Sequence, residues 1–268
     1  MMIIEALLAN AAILLGLALI LWVVALQVKD VSFVDAFWGG GIALLALLSW
    51  LQLAEPGPLA TLMMAMVVVW GVRLGLHLLL RWRRDGEDPR YTHLLRADRA
   101  RGRFAWAALV KVFLLQALLM FVVSSPAQYG ILEASWDQPV SGLALVGLAL
   151  FVIGIAFEWI GDWQLARFKA RRSEETAVLD SGLWRYTRHP NYFGEACIWW
   201  GIWIAAASAG WWVAAWTVIG PIVLTALLVR WSGAALLEKG MMKRKGEAYA
   251  RYRRRTAGFV PRPPRSSD

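Results

Sequence analysis

The sequence has 268 residues, of which 59% are hydrophobic and 17 are tryptophan, and its formal net charge is +9. Soluble globular domains are about 45–50% apolar, so this composition excludes an ordinary soluble domain. The single cysteine, Cys197, excludes an internal disulfide and any cysteine-based metal cluster.

Seven apolar runs are long enough to cross a bilayer core of roughly 30 Å. The first has no basic start and no small-residue cleavage site, so we interpret it as a helix rather than a signal peptide. The sequence therefore predicts an all-α integral membrane protein, with residues 1–268 forming a single seven-helix domain. The predicted transmembrane helices cover residues 3–27, 36–54, 59–80, 104–124, 142–165, 192–209 and 211–237.

The basic residues are concentrated in three segments, with eight in 81–103, six in 167–190 and ten in 239–268. With seven spans, all three segments lie on one side of the membrane, and the segments on the other side contain no Lys or Arg. Because basic loops mark the cytoplasmic side, we expect the N-terminus outside and the C-terminus in the cytoplasm. This placement explains the positive charge through topology and contact with anionic membrane lipids, so no nucleic-acid partner is predicted.

Ionisable side chains inside membrane spans are costly and usually functional. Glu158 and Asp162 are four residues apart and share one helix face. A second stripe at the same spacing is formed by Asn191, Glu195 and Trp199. One interpretation is a set of structural ion pairs near the interface. The other, favoured by their position beside the basic segments, is a polar cavity open to the cytosol. Further ionisable residues within or at the end of the predicted spans are Arg73, His77, Lys111, Arg230 and Glu238.

A nucleotide cofactor carrying phosphate groups fits the residue types around this predicted cavity. Arginine binds phosphate through a planar fork of N–H donors, and Trp and Tyr can stack on a flat ring. Carboxylates and asparagine suit ribose hydroxyls and amides. The sequence contains no G-x-G-x-x-G after a strand and no P-loop. Its three histidines are far apart in the sequence, so no metal site is predicted.

Three consecutive glycines, at positions 39–41, lie inside the second apolar run. Glycine has no Cβ, so helices in a membrane can approach each other closely at such positions. We therefore interpret these glycines as a helix-packing site rather than as a phosphate-binding loop.

Four stretches of the sequence resemble the steroid 5-alpha-reductase family, and most closely its bacterial branch. They are "VDAFWG" (34–39), "GEDPRY" (86–91), "SGLWRYTRHPNYFGEACIWWG" (181–201) and "LLEKGMMKRKGEAYARYRRRTAGFVPRPP" (236–264). The resemblance implies a seven-helix membrane oxidoreductase that uses NADPH to reduce the C=C bond of an enone, typically a Δ4-3-oxo steroid. We expect a substrate chamber in residues 1–126, entered from the bilayer, and a cofactor-binding half in residues 142–268. The expected location is the bacterial inner membrane, with the cofactor site facing the cytoplasm.

The resemblance also implies roles for individual residues. Asp35 in "VDAFWG" is expected to be the catalytic acid near the substrate carbonyl. Tyr91 is expected to replace a tyrosine that the family carries in its third span, where this chain has Trp70. The other interpretation of Asp35 is a helix N-cap. The residues expected to bind NADPH are Arg84, Glu158, Asp162, Lys169, Arg171, Arg172, Tyr186, Arg188, His189, Asn191, Tyr192, Glu195, Trp199 and Glu238.

Two other functions stay open at the level of the sequence. "RHPNYFG" (188–194) is also similar to the R-H-P-x-Y-x-G signature of membrane methyltransferases that use S-adenosylmethionine, such as the isoprenylcysteine and phospholipid methyltransferases. Those enzymes usually carry a paired Arg-Glu-Glu near the final helix, whereas this chain has only Glu238 there. The third function is a transporter or lipid-binding scaffold whose basic loops only set the topology.

Overall fold

The computed structural model describes residues 3–171, 177–231 and 233–265, and these are almost entirely helical, without a β-strand. The predicted all-α class is therefore confirmed. The helices are α1 Ile3–Val28, α2 Val34–Leu51, α3 Pro58–Asp85, α4 Pro89–Ala100, α5 Phe104–Val123, α6 Ser125–Glu133, α7 Gly142–Arg171, α8 Pro190–Ala207, α9 Trp211–Arg230 and α10 Ala234–Arg255.

Six helices are long and apolar enough to cross a membrane, namely α1, α2, α3, α5, α7 and α9. The predicted span 192–209 corresponds to α8, an 18-residue helix that is not among these six. Large apolar side chains along α1 are exposed, including Ile4, Leu8 and Ile20. A surface of this kind is expected where a helix contacts lipid rather than water, so the chain is a membrane-embedded protein.

Two predicted boundaries are wrong. Segment 125–141 was expected to be a loop, but it contains α6, in which the apolar residues Ala127 and Ile131 are buried. The predicted span 211–237 is also too long, because Gly233 has non-helical backbone angles and separates α9 from α10. As a result, Glu238 lies in α10 and not in a membrane span.

The chain divides into two compact units. Unit 1 consists of Met1–Ala144 and Ile202–Gly220, and unit 2 consists of Leu145–Gly201 and Pro221–Asp268. Each unit contains one of the two polar clusters described below. The assignment of residues 1–126 to the substrate and 142–268 to the cofactor stays a prediction.

In unit 1, α2 and α3 approach each other closely through glycines. A Cβ added to Gly39 would lie 2.6 Å from the carbonyl oxygen of Gly71, and one added to Gly71 would lie 2.4 Å from that of Gly39. Gly41 faces Met120 and Phe37 at 3.0 Å, whereas Gly40 points into open space. The interpretation of 39–41 as a packing site is thus confirmed for its outer two glycines.

In unit 2, α7 and α8 also approach each other closely through glycines. A Cβ on Gly154 would lie 2.6 Å from the carbonyl oxygen of Gly194, and one on Gly201 would lie 2.6 Å from that of Gly147. Because the two backbones nearly touch, side chains on the facing surfaces of these helices are brought within hydrogen-bonding distance. Asp162 on α7 and Asn191 on α8 are such a pair.

The close approach of α2 and α3 predicts different outcomes for two adjacent glycines. We expect Gly39→Ala to lower the free energy of unfolding of the purified protein by about 1–3 kcal/mol, and with it the melting temperature, because the new methyl group would overlap the α3 backbone. Gly40→Ala is the matched control and should be neutral or slightly stabilising, since alanine favours helix more than glycine does. Equal melting temperatures for the two variants would contradict the packing described here.

Candidate functional site

The stretch "GEDPRY" ends one helix and begins the next. Gly86 has a positive φ of 73° and ends α3, and its N–H donates a 2.8 Å hydrogen bond to the Trp82 carbonyl. Asp88 caps α4 by accepting a 2.9 Å hydrogen bond from the Arg90 N–H, and Pro89 occupies the first turn. The end of α3 and the cap of α4 together place Tyr91 in the first turn of α4, where its ring is buried in an apolar cluster with Val34 of α2.

Asp35 and Tyr91 are in direct contact. The Tyr91 hydroxyl donates to Asp35 Oδ1 at 2.5 Å, although the two residues are 56 positions apart. Gln116 on α5 donates from Nε2 to the same hydroxyl oxygen at 3.1 Å. The phenol oxygen is therefore held from two sides.

Two arginines balance the charge of Asp35. Arg90 Nη2 lies 2.8 Å from Asp35 Oδ2, and Arg81 Nη2 lies 3.7 Å from the same atom. Burial and the negative charge of Asp35 raise the pKa of Tyr91 well above its usual range. The hydroxyl therefore keeps its proton at physiological pH and can act as a neutral hydrogen-bond donor.

The alternative interpretation of Asp35 as a helix N-cap is wrong. The capping position of α2 is Phe33, and no side chain caps this end of the helix. Asp35 instead lies inside the first turn, where its carboxylate oxygens are used by Tyr91 and Arg90. Asp88 on α4 is the aspartate in this region that caps a helix.

In unit 2, a second cluster forms around Glu238 on α10. Its Oε1 accepts hydrogen bonds from Arg188 Nε at 2.8 Å and lies 3.1 Å from His189 Nε2, and Arg253 approaches Oε2 at 3.3 Å. Arg188 Nη1 also donates to the backbone carbonyls of Arg253 and Thr256, at 3.2 and 2.6 Å. The Arg-His pair of "RHPNYFG" thus joins the start of α8 to α10.

The predicted stripe along α8 begins beside this cluster. Asn191 Nδ2 donates to Asp162 Oδ1 at 3.0 Å, which connects α8 to α7. Tyr192 stacks on His189, with ring centroids 5.5 Å apart. Trp199 is completely buried. Glu158, one turn before Asp162 on α7, is also buried, and Glu195 is partly buried.

The remaining predicted cofactor residues are found in other parts of the chain. Arg84, in unit 1, is exposed and pairs with its neighbour Asp85 at 2.7 Å. Lys169 and Arg171 are exposed at the end of α7, and Tyr186 is 43% exposed before α8. Arg172 lies outside the described residues. Their cofactor-binding roles stay predictions.

Sequence reasoning missed three residues that complete the clusters. Arg90 lies inside the quoted "GEDPRY", so its charge beside Tyr91 was a visible signal for a carboxylate partner. Gln116 is an amide in an otherwise apolar stretch of α5, which was a weaker signal. The contact of Arg253 with Glu238 had no local signal, because arginines surround it in the sequence.

Residues 21–256 match the family DUF1295, described as a protein of unknown function. The chain belongs to this family. An uncharacterized protein of Schizosaccharomyces pombe is 22% identical over 266 residues, which cover 91% of this chain and 76% of that protein. No solved structure matches the chain significantly. The matched range includes both the Asp35–Tyr91 contact and the Glu238 cluster.

The Glu238 cluster predicts a dependence of stability on acid pH. Burial by itself would raise the pKa of this carboxyl, but hydrogen bonds from His189 and Arg188 outweigh it and lower the pKa from 4.5 to about 2. A carboxyl whose pKa is lower in the folded state contributes stability above its unfolded pKa and loses it as pH falls through the folded value. We expect wild type to melt above Glu238→Gln near neutral pH.

This difference in melting temperature should shrink as the pH falls from about 4.5 towards about 2. Glu247→Gln is the control on the same helix: Glu247 is 68% exposed and pairs with Arg254, so solvent screening should keep its effect small. If the difference in melting temperature between wild type and Glu238→Gln stayed constant across this pH range, the lowered pKa of Glu238 would be contradicted.

Proposed function

We propose that this chain is a membrane-embedded reductase that transfers hydride from NADPH to the C=C bond of an apolar enone, such as a Δ4-3-oxo steroid or a similar lipid. The observation that carries the proposal is the 2.5 Å hydrogen bond between Tyr91 and Asp35, the two residues for which catalytic roles are expected. The link between DUF1295 and steroid 5-alpha-reductase-like membrane proteins supports the same class.

Tyr91 is the proposed donor to the substrate carbonyl. When hydride adds to the β-carbon of an enone, an electron pair moves to the carbonyl oxygen, and a fixed donor there stabilises the growing negative charge. A phenol has one proton, so its hydroxyl must rotate from Asp35 to the substrate. Arg90, 2.8 Å from Asp35 Oδ2, then remains to hold the carboxylate. A proton from water completes the saturated ketone at the α-carbon.

The residues of unit 2 fit the chemical groups of NADPH. The Asp162–Asn191 pair offers an acceptor and an amide for ribose hydroxyls and the carboxamide. The arginines of this unit offer donors for the phosphates. When bound, NADPH supplies the hydride, and the proposed role of these residues is to hold it and to orient its nicotinamide ring.

The proposed topology has seven spans, with α8 as the sixth, the N-terminus outside and the C-terminus in the cytoplasm of a bacterial inner membrane. The distribution of Lys and Arg supports this arrangement, because the basic blocks all follow spans that would end on one side. Eighteen residues at 1.5 Å per residue give α8 about 27 Å, close to the thickness of a bilayer core.

Ligand-induced stabilisation tests the proposed cofactor. Detergent-purified protein is titrated with NADPH, NADH and S-adenosylmethionine while its melting temperature is followed. A ligand at 100 times its Kd should stabilise the fold by about 2.7 kcal/mol, and we expect that response to NADPH. Stabilisation by S-adenosylmethionine alone would replace the reductase by a methyltransferase, and no response to any of the three would favour the transporter or scaffold.

Variants of the Asp35–Tyr91 pair test the chemistry. Tyr91→Phe and Asp35→Asn should lower NADPH-dependent enone reduction by about 10²–10³-fold, as expected for loss of an oxyanion donor or its support. Both should keep wild-type NADPH binding, and Tyr129→Phe, which removes a phenol hydroxyl from α6, should keep wild-type turnover. Product formation is measured in inside-out membrane vesicles.

Right-side-out vesicles should give no turnover with added NADPH, because the cofactor does not cross the membrane and its site is proposed to face the cytoplasm. Full activity in Tyr91→Phe would remove this residue from the mechanism. Turnover in sealed right-side-out vesicles would overturn the proposed orientation.

A further inference from the structure

A cavity of about 390 Å³ in unit 2 lies at the end of α10, open to the surface and lined in part by the segment that follows this helix. Its volume falls within the range of small-molecule sites, about 300–1,000 Å³. Its described lining contains no acidic residue. Six arginines line it, namely Arg188, Arg253, Arg254, Arg255, Arg262 and Arg265.

Backbone hydrogen bonds build this arginine pocket. The chain leaves α10, turns, and returns so that the Arg265 N–H donates to the Arg255 carbonyl at 3.0 Å. Thr187 Oγ1 donates to the Phe259 carbonyl at 2.7 Å, and the Arg262 N–H donates to the Tyr186 carbonyl at 3.0 Å. The loop is thus fixed to the start of the "RHPNYFG" stretch by contacts that leave the side chains of Arg255, Arg262 and Arg265 unused, although the Arg188 side chain also donates to the Thr256 carbonyl.

The described residues balance the positive charge at the pocket only in part. Arg188 and Arg253 share Glu238, and Arg254 pairs with Glu247. The guanidinium groups of Arg255, Arg262 and Arg265 form no ion pair with a carboxylate among the described residues. The pocket therefore carries at least three positive charges for which the described residues supply no counter-charge.

Two simpler explanations account for part of this charge. Basic residues set membrane topology wherever they lie in a cytoplasmic segment, and arginines in the last turn of α10 also offset the helix dipole. Neither explains why Arg262 and Arg265, beyond α10, converge with that last turn on one cavity. Convergence of arginines from two parts of the chain is expected when the groups bind a common anion.

We propose that the arginine pocket binds a phosphate monoester and, resting on the proposed function, that this group is the 2′-phosphate of NADPH. Guanidinium groups bind phosphate through paired N–H donors. A doubly charged monoester would balance most of the surplus charge described above. Phe259 also lines the pocket and supplies an aromatic ring suited to stacking with an adenine base. The pocket thereby sets the preference for NADPH over NADH.

The test compares affinities for NADPH and NADH in detergent-purified full-length protein. The double variant Arg255→Gln/Arg262→Gln should lose about ten- to a hundredfold of its NADPH affinity, as expected for lost hydrogen bonds to a charged group. Its NADH affinity should be unchanged. Arg251→Gln is the matched control, because Arg251 is exposed on the same helix, is not among the lining residues and removes one positive charge. It should keep the wild-type preference.

Arg265→Gln provides a second readout if the double variant does not fold, since its side chain takes no part in the backbone bond that closes the loop. Equal affinities of wild type for NADPH and NADH would overturn the inference and leave the proposed reductase standing. Equal losses for both dinucleotides, or the same loss in Arg251→Gln, would overturn it as well.

A failure of the proposed function has a different signature, in which wild type binds neither dinucleotide. Binding of adenosine 2′-monophosphate then tests the arginine pocket by itself. If it binds to wild type and not to the double variant, the pocket is still a phosphate-monoester site. If it does not bind to wild type, the proposed site is overturned. A lipid source is distinguished in nanodiscs. The stability of the protein is compared in phosphatidylcholine discs with and without phosphatidic acid. If the arginine variants change only the extra stability that phosphatidic acid gives the protein, the ligand is a lipid headgroup and the assignment to NADPH is overturned.

Discussion

The interior of a bilayer offers no water to a backbone amide or to a charged side chain, and each polar group placed there must find its partner within the protein. Helices satisfy this requirement for the backbone, which accounts for the almost wholly helical chain. Side chains follow the same rule. In unit 1 the buried residues Asn10, Ser49 and Gln128 are joined by hydrogen bonds of 2.9 Å. Lys111, in α5, reaches Asp98 at 2.6 Å.

The two polar clusters meet this constraint in different ways. Each centres on a carboxylate bound by a guanidinium group, Asp35 by Arg90 and Glu238 by Arg188. Asp35 also accepts a hydrogen bond from a phenol hydroxyl that keeps its proton. Glu238 is instead bound to Arg188, whose Nη1 donates to two backbone carbonyls. The first arrangement leaves a donor able to turn towards another acceptor. The second fixes chain segments to each other, as a structural connection does.

Much of the fold was readable from the sequence, because apolar runs of span length and glycines within them report directly on burial. Asp35 and Tyr91 were each given a catalytic role through a resemblance rather than through spacing, but the hydrogen bond between them was not predicted. The N-cap alternative for Asp35 failed because a cap depends on which residue precedes the first turn, and that boundary shifts by one or two residues. Contacts such as Gln116 with Tyr91 were not predictable, since they depend on how separate helices pack.

The position of Glu238 was mispredicted for a related reason. Hydropathy continues smoothly from α9 into the first residues of α10, so composition alone gives one span where the backbone has two helices. The break occurs at Gly233, whose φ of −92° and ψ of −112° lie outside the helical region. A glycine in an apolar run can allow either close packing, as at Gly39, or a change of direction, as here. Only its surroundings decide between the two.

The contacts of "RHPNYFG" bear on why this stretch resembles two classes of enzyme. Arg188 and His189 use their polar atoms on Glu238 and on the backbone around α10. Contacts of this kind shape the protein around a site without taking part in a particular reaction, so they are compatible with either hydride or methyl transfer. The two reactions differ in their need for a proton donor, because methyl transfer from a sulfonium develops no negative charge on a carbonyl oxygen. A protonated phenol such as that of Tyr91, held by Asp35 and Gln116, is therefore a group that the proposed reductase would use and a methyltransferase would not need.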